Sequence, residues 1–146
     1  MHNNRIFDLN LNENRLDLLQ ELSFHNCCVL LVKVIVDPTG NPILLSAGTD
    51  GRLAVWDVSS VEEDATIDAL GSLAIHQSGI NCLDCKWVDV DRLLIVSGGD
   101  DNALTCSKME INCQKGLLRL VDQQRQSPHA AQISGEFSYF ENSLDF

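Results

Sequence analysis

The clearest pattern of apolar and polar positions lies over residues 44–57. Leu44 and Leu45 open an apolar run that stops at Gly48, and Asp50-Gly51 follows as a turn signal. Beyond the turn, Leu53 and Val55 alternate with Arg52, Ala54 and Trp56. A period of two is that of a pleated strand, and Asp-Gly between two such runs predicts a tight hairpin. The pattern returns at Ser97-Gly-Gly-Asp-Asp-Asn-Ala-Leu104, where one offset of 51 residues places Ser46 on Ser97, Asp50 on Asp101, Leu53 on Leu104 and His25 on His76. The chain is therefore built from repeats. Trp56 has no counterpart in the second copy, which carries Ser107 there.

Other segments fit strands around these hairpins. The β-branched run 29–36 is nearly continuous in apolar residues, which predicts a strand buried on both faces. Asp37-Pro-Thr-Gly-Asn-Pro42 is a dense turn signal. Residues 71–75, 80–87, 93–96, 103–106 and 117–121 read as further strands, with an acidic surface connection over 58–68. Residues 16–24 fit either a strand or an amphipathic helix, since Leu16, Leu19 and Leu22 share a helical face.

A recurring His, Ser and Asp invites comparison with a hydrolase triad. Such a constellation is built once, from residues in different environments, and here His25, Ser46 and Asp50 recur as His76, Ser97 and Asp101. The duplication argues for a structural role. Cys82-Leu-Asp-Cys85 has metal-ligand spacing, but residues three apart on a strand point to opposite faces, and no metal site is assigned.

The hairpin ending in Trp56-Asp57 and its copy resemble the WD-repeat family, whose fold is the β-propeller. The resemblance implies an all-β, partial β-propeller: about two complete WD blades plus incomplete flanking repeats. It favours the strand over 16–24, as the outermost strand of the next blade, and makes 29–36 an innermost strand. Arg5-Ile-Phe-Asp8 resembles the end of an earlier repeat, and His129-Ala-Ala-Gln-Ile133 the start of a later one whose Ser would fall past Phe146. The repeats expected are 25–57 and 76–108 within a propeller segment 1–135, with 136–146 a truncated, poorly ordered tail. The 51-residue spacing exceeds the roughly 40–45 residues usual for this family, which places the 58–68 insertion at a blade's outer edge. In the family, the matching His, Ser, Asp and Trp form a hydrogen-bonded tetrad inside the blade. His25, Ser46, Asp50 and Trp56 match it; His76, Ser97 and Asp101 match with one member lost, so the second blade is expected to be the softer.

The remaining composition narrows the function. Ten basic against 21 acidic residues give a net charge of −11, which disfavours direct contact with nucleic-acid phosphates or an anionic membrane. Six cysteines without an apolar leader point to free thiols in a cytoplasmic chain. A propeller needs at least four blades to close, so the chain is expected to be part of a longer protein. Stretches such as Glu21-Leu-Ser-Phe-His-Asn-Cys-Cys28 and Ser78-Gly-Ile-Asn81 resemble WD-repeat accessory subunits of FtsJ-type tRNA 2′-O-methyltransferases. That resemblance implies a non-catalytic subunit helping to methylate the wobble nucleotide 34, with S-adenosylmethionine bound by the FtsJ-type partner and tRNA held by the assembly. No cofactor is expected on this chain, because Ser97-Gly-Gly-Asp100 reads as a hairpin turn, not a methyl-donor loop. The alternative is a general protein–protein interaction scaffold of signalling or ubiquitin-ligase assemblies.

Overall fold

The computed structural model describes residues 2–60 and 67–127, and every regular element among them is a strand. The strands are β1 (His2–Asn10), β2 (Arg15–His25), β3 (Val29–Val36), β4 (Pro42–Gly48), β5 (Arg52–Asp57), β6 (Gly71–Ala74), β7 (Ile80–Trp87), β8 (Arg92–Gly99), β9 (Leu104–Asn112) and β10 (Leu117–Gln126). They form three antiparallel sheets: β1-β2, β3-β4-β5-β6 and β7-β8-β9-β10. The two four-stranded meanders are successive propeller blades, and the two-stranded sheet precedes them. The third repeat expected at His129 and the tail 136–146 lie outside the described residues, as does most of the 58–68 connection.

The middle sheet is packed on both faces, which follows from its alternation. Ile43, Leu45, Ala47, Leu53 and Val55 point one way and meet Ile80, Leu93, Ile95, Met109 and Ile111 of the next sheet. Leu44, Ala54 and Trp56 point the other way and meet Leu22, with Ile6 and Phe24 beside them. In register, Leu44 pairs with Trp56 and Leu45 with Val55, so each cross-strand pair serves one face. All of these buried residues of the middle sheet are at most 6% exposed, and fully burying each Leu, Ile or Val contributes about 1.5–3 kcal/mol.

Two expectations need correction. First, residues 15–25 are a strand, but β2 pairs with β1 and not with the blade that follows. The outermost position of the middle blade belongs to β6, so a repeat's first strand completes the preceding sheet. Second, β3 is not buried on both faces. Leu31 and Ile35 pack into the core, whereas Leu30, Val32, Val34 and Val36 are 45–59% exposed. The cause is geometric: β1 and β2 pack over Leu44 of β4 and Ala54 and Trp56 of β5, and the side chains of β3 on that face stay largely exposed among the described residues.

Candidate functional site

The recurring histidines stand where a strand of one sheet ends and the next sheet begins. His25 closes β2, and its imidazole is buried with 1% exposure. Its Nε2 lies 2.7 Å from Ser46 Oγ on β4, a strand of the neighbouring sheet. His76 follows β6 and repeats the arrangement one sheet later, with Nε2 2.9 Å from Ser97 Oγ on β8. Each His–Ser pair therefore spans the seam between two sheets; the expectation of a tetrad inside one blade is corrected accordingly. All four groups are buried, where a satisfied hydrogen bond is worth about 1 kcal/mol and an orphaned partner costs roughly 1–3.

The two seams differ at the aspartates. Asp101 Oδ1 lies 2.9 Å from His76 Nδ1 and accepts the Ala103 amide, while Oδ2 accepts the Gln77 amide and the Arg125 guanidinium. Burial would raise the Asp101 carboxyl, but the amides of Gln77 and Ala103 and the His76 ring outweigh it and hold it at about 2. In the first seam, Asp50 Oδ1 accepts the Arg52 amide. Asp50 Oδ2 stands 3.5 Å from His25 Nδ1, which is buried and makes no hydrogen bond. The second repeat is thus the more completely tied, the reverse of the order expected from its missing Trp.

Trp56 also departs from the expected tetrad. Its indole is fully buried between the first two sheets, edge-on to Phe24, but Nε1 has no acceptor among the described residues and Ser46 does not reach it. It contributes volume and packing. In the second repeat the matching position is filled by buried Ser107, whose Oγ accepts Gln123 Nε2 of β10 at 3.3 Å. The Gln123–Ser107 pair was invisible in the sequence, because it depends on the register between β9 and β10.

Gly51 and Asn102 occupy the same turn position and both have positive φ, 71° and 55°, the left-handed region that glycine and asparagine tolerate. These turns set the aspartates at the seam. Cys82 is exposed while Cys85 is half-buried on β7, as alternation along a strand requires. A ring nitrogen of His25, Cys27 Sγ and an Asp50 carboxylate oxygen lie within 4.8 Å of one another.

No protein-family profile matches the chain. Among curated proteins it is similar to the tRNA (34-2′-O)-methyltransferase regulator WDR6 of Pongo abelii, 30% identical over 162 aligned residues that cover 90% of this chain and 14% of that protein. The Bos taurus WDR6 is 30% identical over 68% of this chain and 10% of its own length. Histone acetyltransferase type B subunit 2 of Kluyveromyces lactis is 30% identical over 68% of the chain and 22% of its own length. The chain thus spans a minor part of each relative it matches. Consecutive four-stranded meanders, a His–Ser pair at each seam and several WD-repeat relatives point the same way: the chain belongs to the WD-repeat family.

Proposed function

We propose that this chain is part of a non-catalytic WD-repeat scaffold that supports a tRNA 2′-O-methyltransferase acting on nucleotide 34. The observation that carries the reading is the match to WDR6 proteins, named as regulators of that methyltransferase, over as much as 90% of the chain. The site geometry is compatible with it. The two His–Ser–Asp sets are seam contacts beneath packed sheets, and both serine hydroxyls are buried at 0–1% exposure, so neither is placed to attack a substrate. In this reading the methyltransferase partner binds S-adenosylmethionine, tRNA is held by the assembly and not by this acidic surface, and the complex works in the cytoplasm. Residues 1–135 are the propeller segment.

A second reading is supported by the spread of the other relatives. Histone acetyltransferase type B subunit 2, the coatomer subunit beta′-2 of Arabidopsis thaliana and protein transport protein SEC13-2 of Candida glabrata also match, which fits a general interaction scaffold. Mass spectrometry of ribose methylation at tRNA nucleotide 34 separates the two. Disrupting the gene is expected to remove that methylation, and restoring the gene to recover it. An unchanged methylation level overturns the first reading and leaves the second.

A further inference from the structure

The first seam holds three metal-ligating groups where the second holds a closed hydrogen bond. A Cβ built on Gly48 would lie 2.9 Å from His25 Nδ1, 3.0 Å from Asp50 Oδ1 and 3.1 Å from Cys27 Sγ. The three donors thus stand together over Gly48, whereas at Gly99, the matching glycine of the second seam, a Cβ would meet His76 Nδ1 at 2.6 Å and no thiol or carboxylate within its nearest neighbours. The space over Gly48 is open only because that residue is a glycine.

The imidazole supplies an independent observation. His25 is 1% exposed, its Nε2 is engaged by Ser46, and its buried Nδ1 makes no hydrogen bond, with Asp50 Oδ2 standing 3.5 Å away. Leaving a buried nitrogen without a hydrogen bond costs about 1–3 kcal/mol, which a ligand held between it and Asp50 would recover. The same scaffold can close the gap, because His76 Nδ1 reaches Asp101 at 2.9 Å. What differs is the residue two places after the histidine: Cys27 in the first repeat and Ser78 in the second.

We propose that His25 Nδ1, Cys27 Sγ and the Asp50 carboxylate form a binding site for a borderline-soft divalent cation, zinc being the best match. Nitrogen, thiolate and carboxylate are zinc's own ligand types, and three protein ligands leave a fourth position for water. A tetrahedral zinc with bonds of about 2.0–2.3 Å keeps its donors roughly 3.3–3.8 Å apart. The 3.5 Å between His25 Nδ1 and Asp50 Oδ2 already has that spacing. In this state Nε2–H donates to Ser46 Oγ, which fixes the tautomer that presents the Nδ1 lone pair to the metal. Cys27 binds as thiolate and gives its proton to solvent, so affinity falls in acid. Asp50, with its side chain 26% exposed, forms the entrance.

The test uses the reduced 146-residue chain. Zn2+ is added before iodoacetamide, and alkylation of each cysteine is read by peptide mass spectrometry. Zinc is expected to slow Cys27 labelling at least tenfold and leave Cys82 unchanged, with the protection lost in Asp50→Asn. Co2+ serves as a second probe: its thiolate charge-transfer absorption is expected to vanish in Cys27→Ser and persist in Cys82→Ser. Cys27 labelling indifferent to Zn2+, protection kept in Asp50→Asn, or a cobalt band that survives Cys27→Ser each overturn the site.

Discussion

A Cβ on Gly51 would fall 2.2 Å from the carbonyl oxygen of His76. The hairpin turn of the middle blade thus rests against the backbone of the seam to the next blade. The Gly51 carbonyl in turn accepts the amides of Ile75 and His76, so neither side can yield without breaking the contact. Gly51→Ala is expected to cost more than about 3 kcal/mol, the left-handed backbone contributing about 1–3 of it. Gly40, also at positive φ but with nothing within 4 Å of a built Cβ, provides the control. Gly40→Ala should show the backbone cost alone, about 1 kcal/mol, in urea denaturation.

The unequal seams predict unequal mutants. Among the described residues Asp101 accepts four hydrogen bonds, from Gln77, Ala103, His76 and Arg125, whereas Asp50 accepts one, from the Arg52 amide. Asp101→Ala is expected to destabilise by about 3 kcal/mol or more and Asp50→Ala by about 1. Denaturation midpoints of the two variants, measured without added metal, check the order; equal losses would contradict it.

The depth of that seam was only partly legible in the sequence. The strands, the two hairpins and the His–Ser–Asp recurrence could be read because period two, Asp-Gly turns and a single offset are local properties. Pairing was not local. Nothing in residues 15–25 says that β2 joins β1, and nothing in Ser107 says that Gln123 will meet it. Cys27 reads in the sequence only as part of the Cys27-Cys28 pair, because its approach to Gly48, His25 and Asp50 arises only when two sheets stack.

Acid should report on the second seam. The Asp101 carboxyl sits at about 2 against an ordinary 3.8. A carboxylate held below its unfolded value stabilises the fold fully above about pH 4 and loses that contribution as pH falls through about 2. Urea midpoints followed from pH 5 to pH 2 should therefore drop, and Asp101→Asn should flatten the drop. Asp37, also lowered because its hydrogen bonds to Thr39 and Asn41 outweigh the raising effect of burial, retains its own share in that variant.

Thiol reactivity should follow position. Burial pushes Cys113 up to about 11, helped by the charges of Asp57 and Asp37 and a hydrogen bond to Asp57, whereas Cys28 and Cys82 are exposed. The thiolate is the reactive form. At pH 8, alkylation is expected to be fastest at Cys28 and Cys82 and slowest at Cys113; early labelling of Cys113 would contradict this assignment.

Trp56 gives a test of packing without hydrogen bonding. Since its indole nitrogen has no acceptor among the described residues, Trp56→Phe should lose only volume, about 1–3 kcal/mol, and Trp56→Ala about 3–5. A Phe variant as damaging as the Ala variant would point to a polar role for the indole.

The open face of β3 has a kinetic consequence. Leu30, Val32, Val34 and Val36 form an apolar row on a strand that is the edge of its sheet among the described residues. Such an edge is a template for strands of other copies. Heating the isolated chain at rising concentration will therefore pull it into irreversible aggregates, and its thermal endurance will be measured as a concentration-dependent half-life instead of a melting equilibrium.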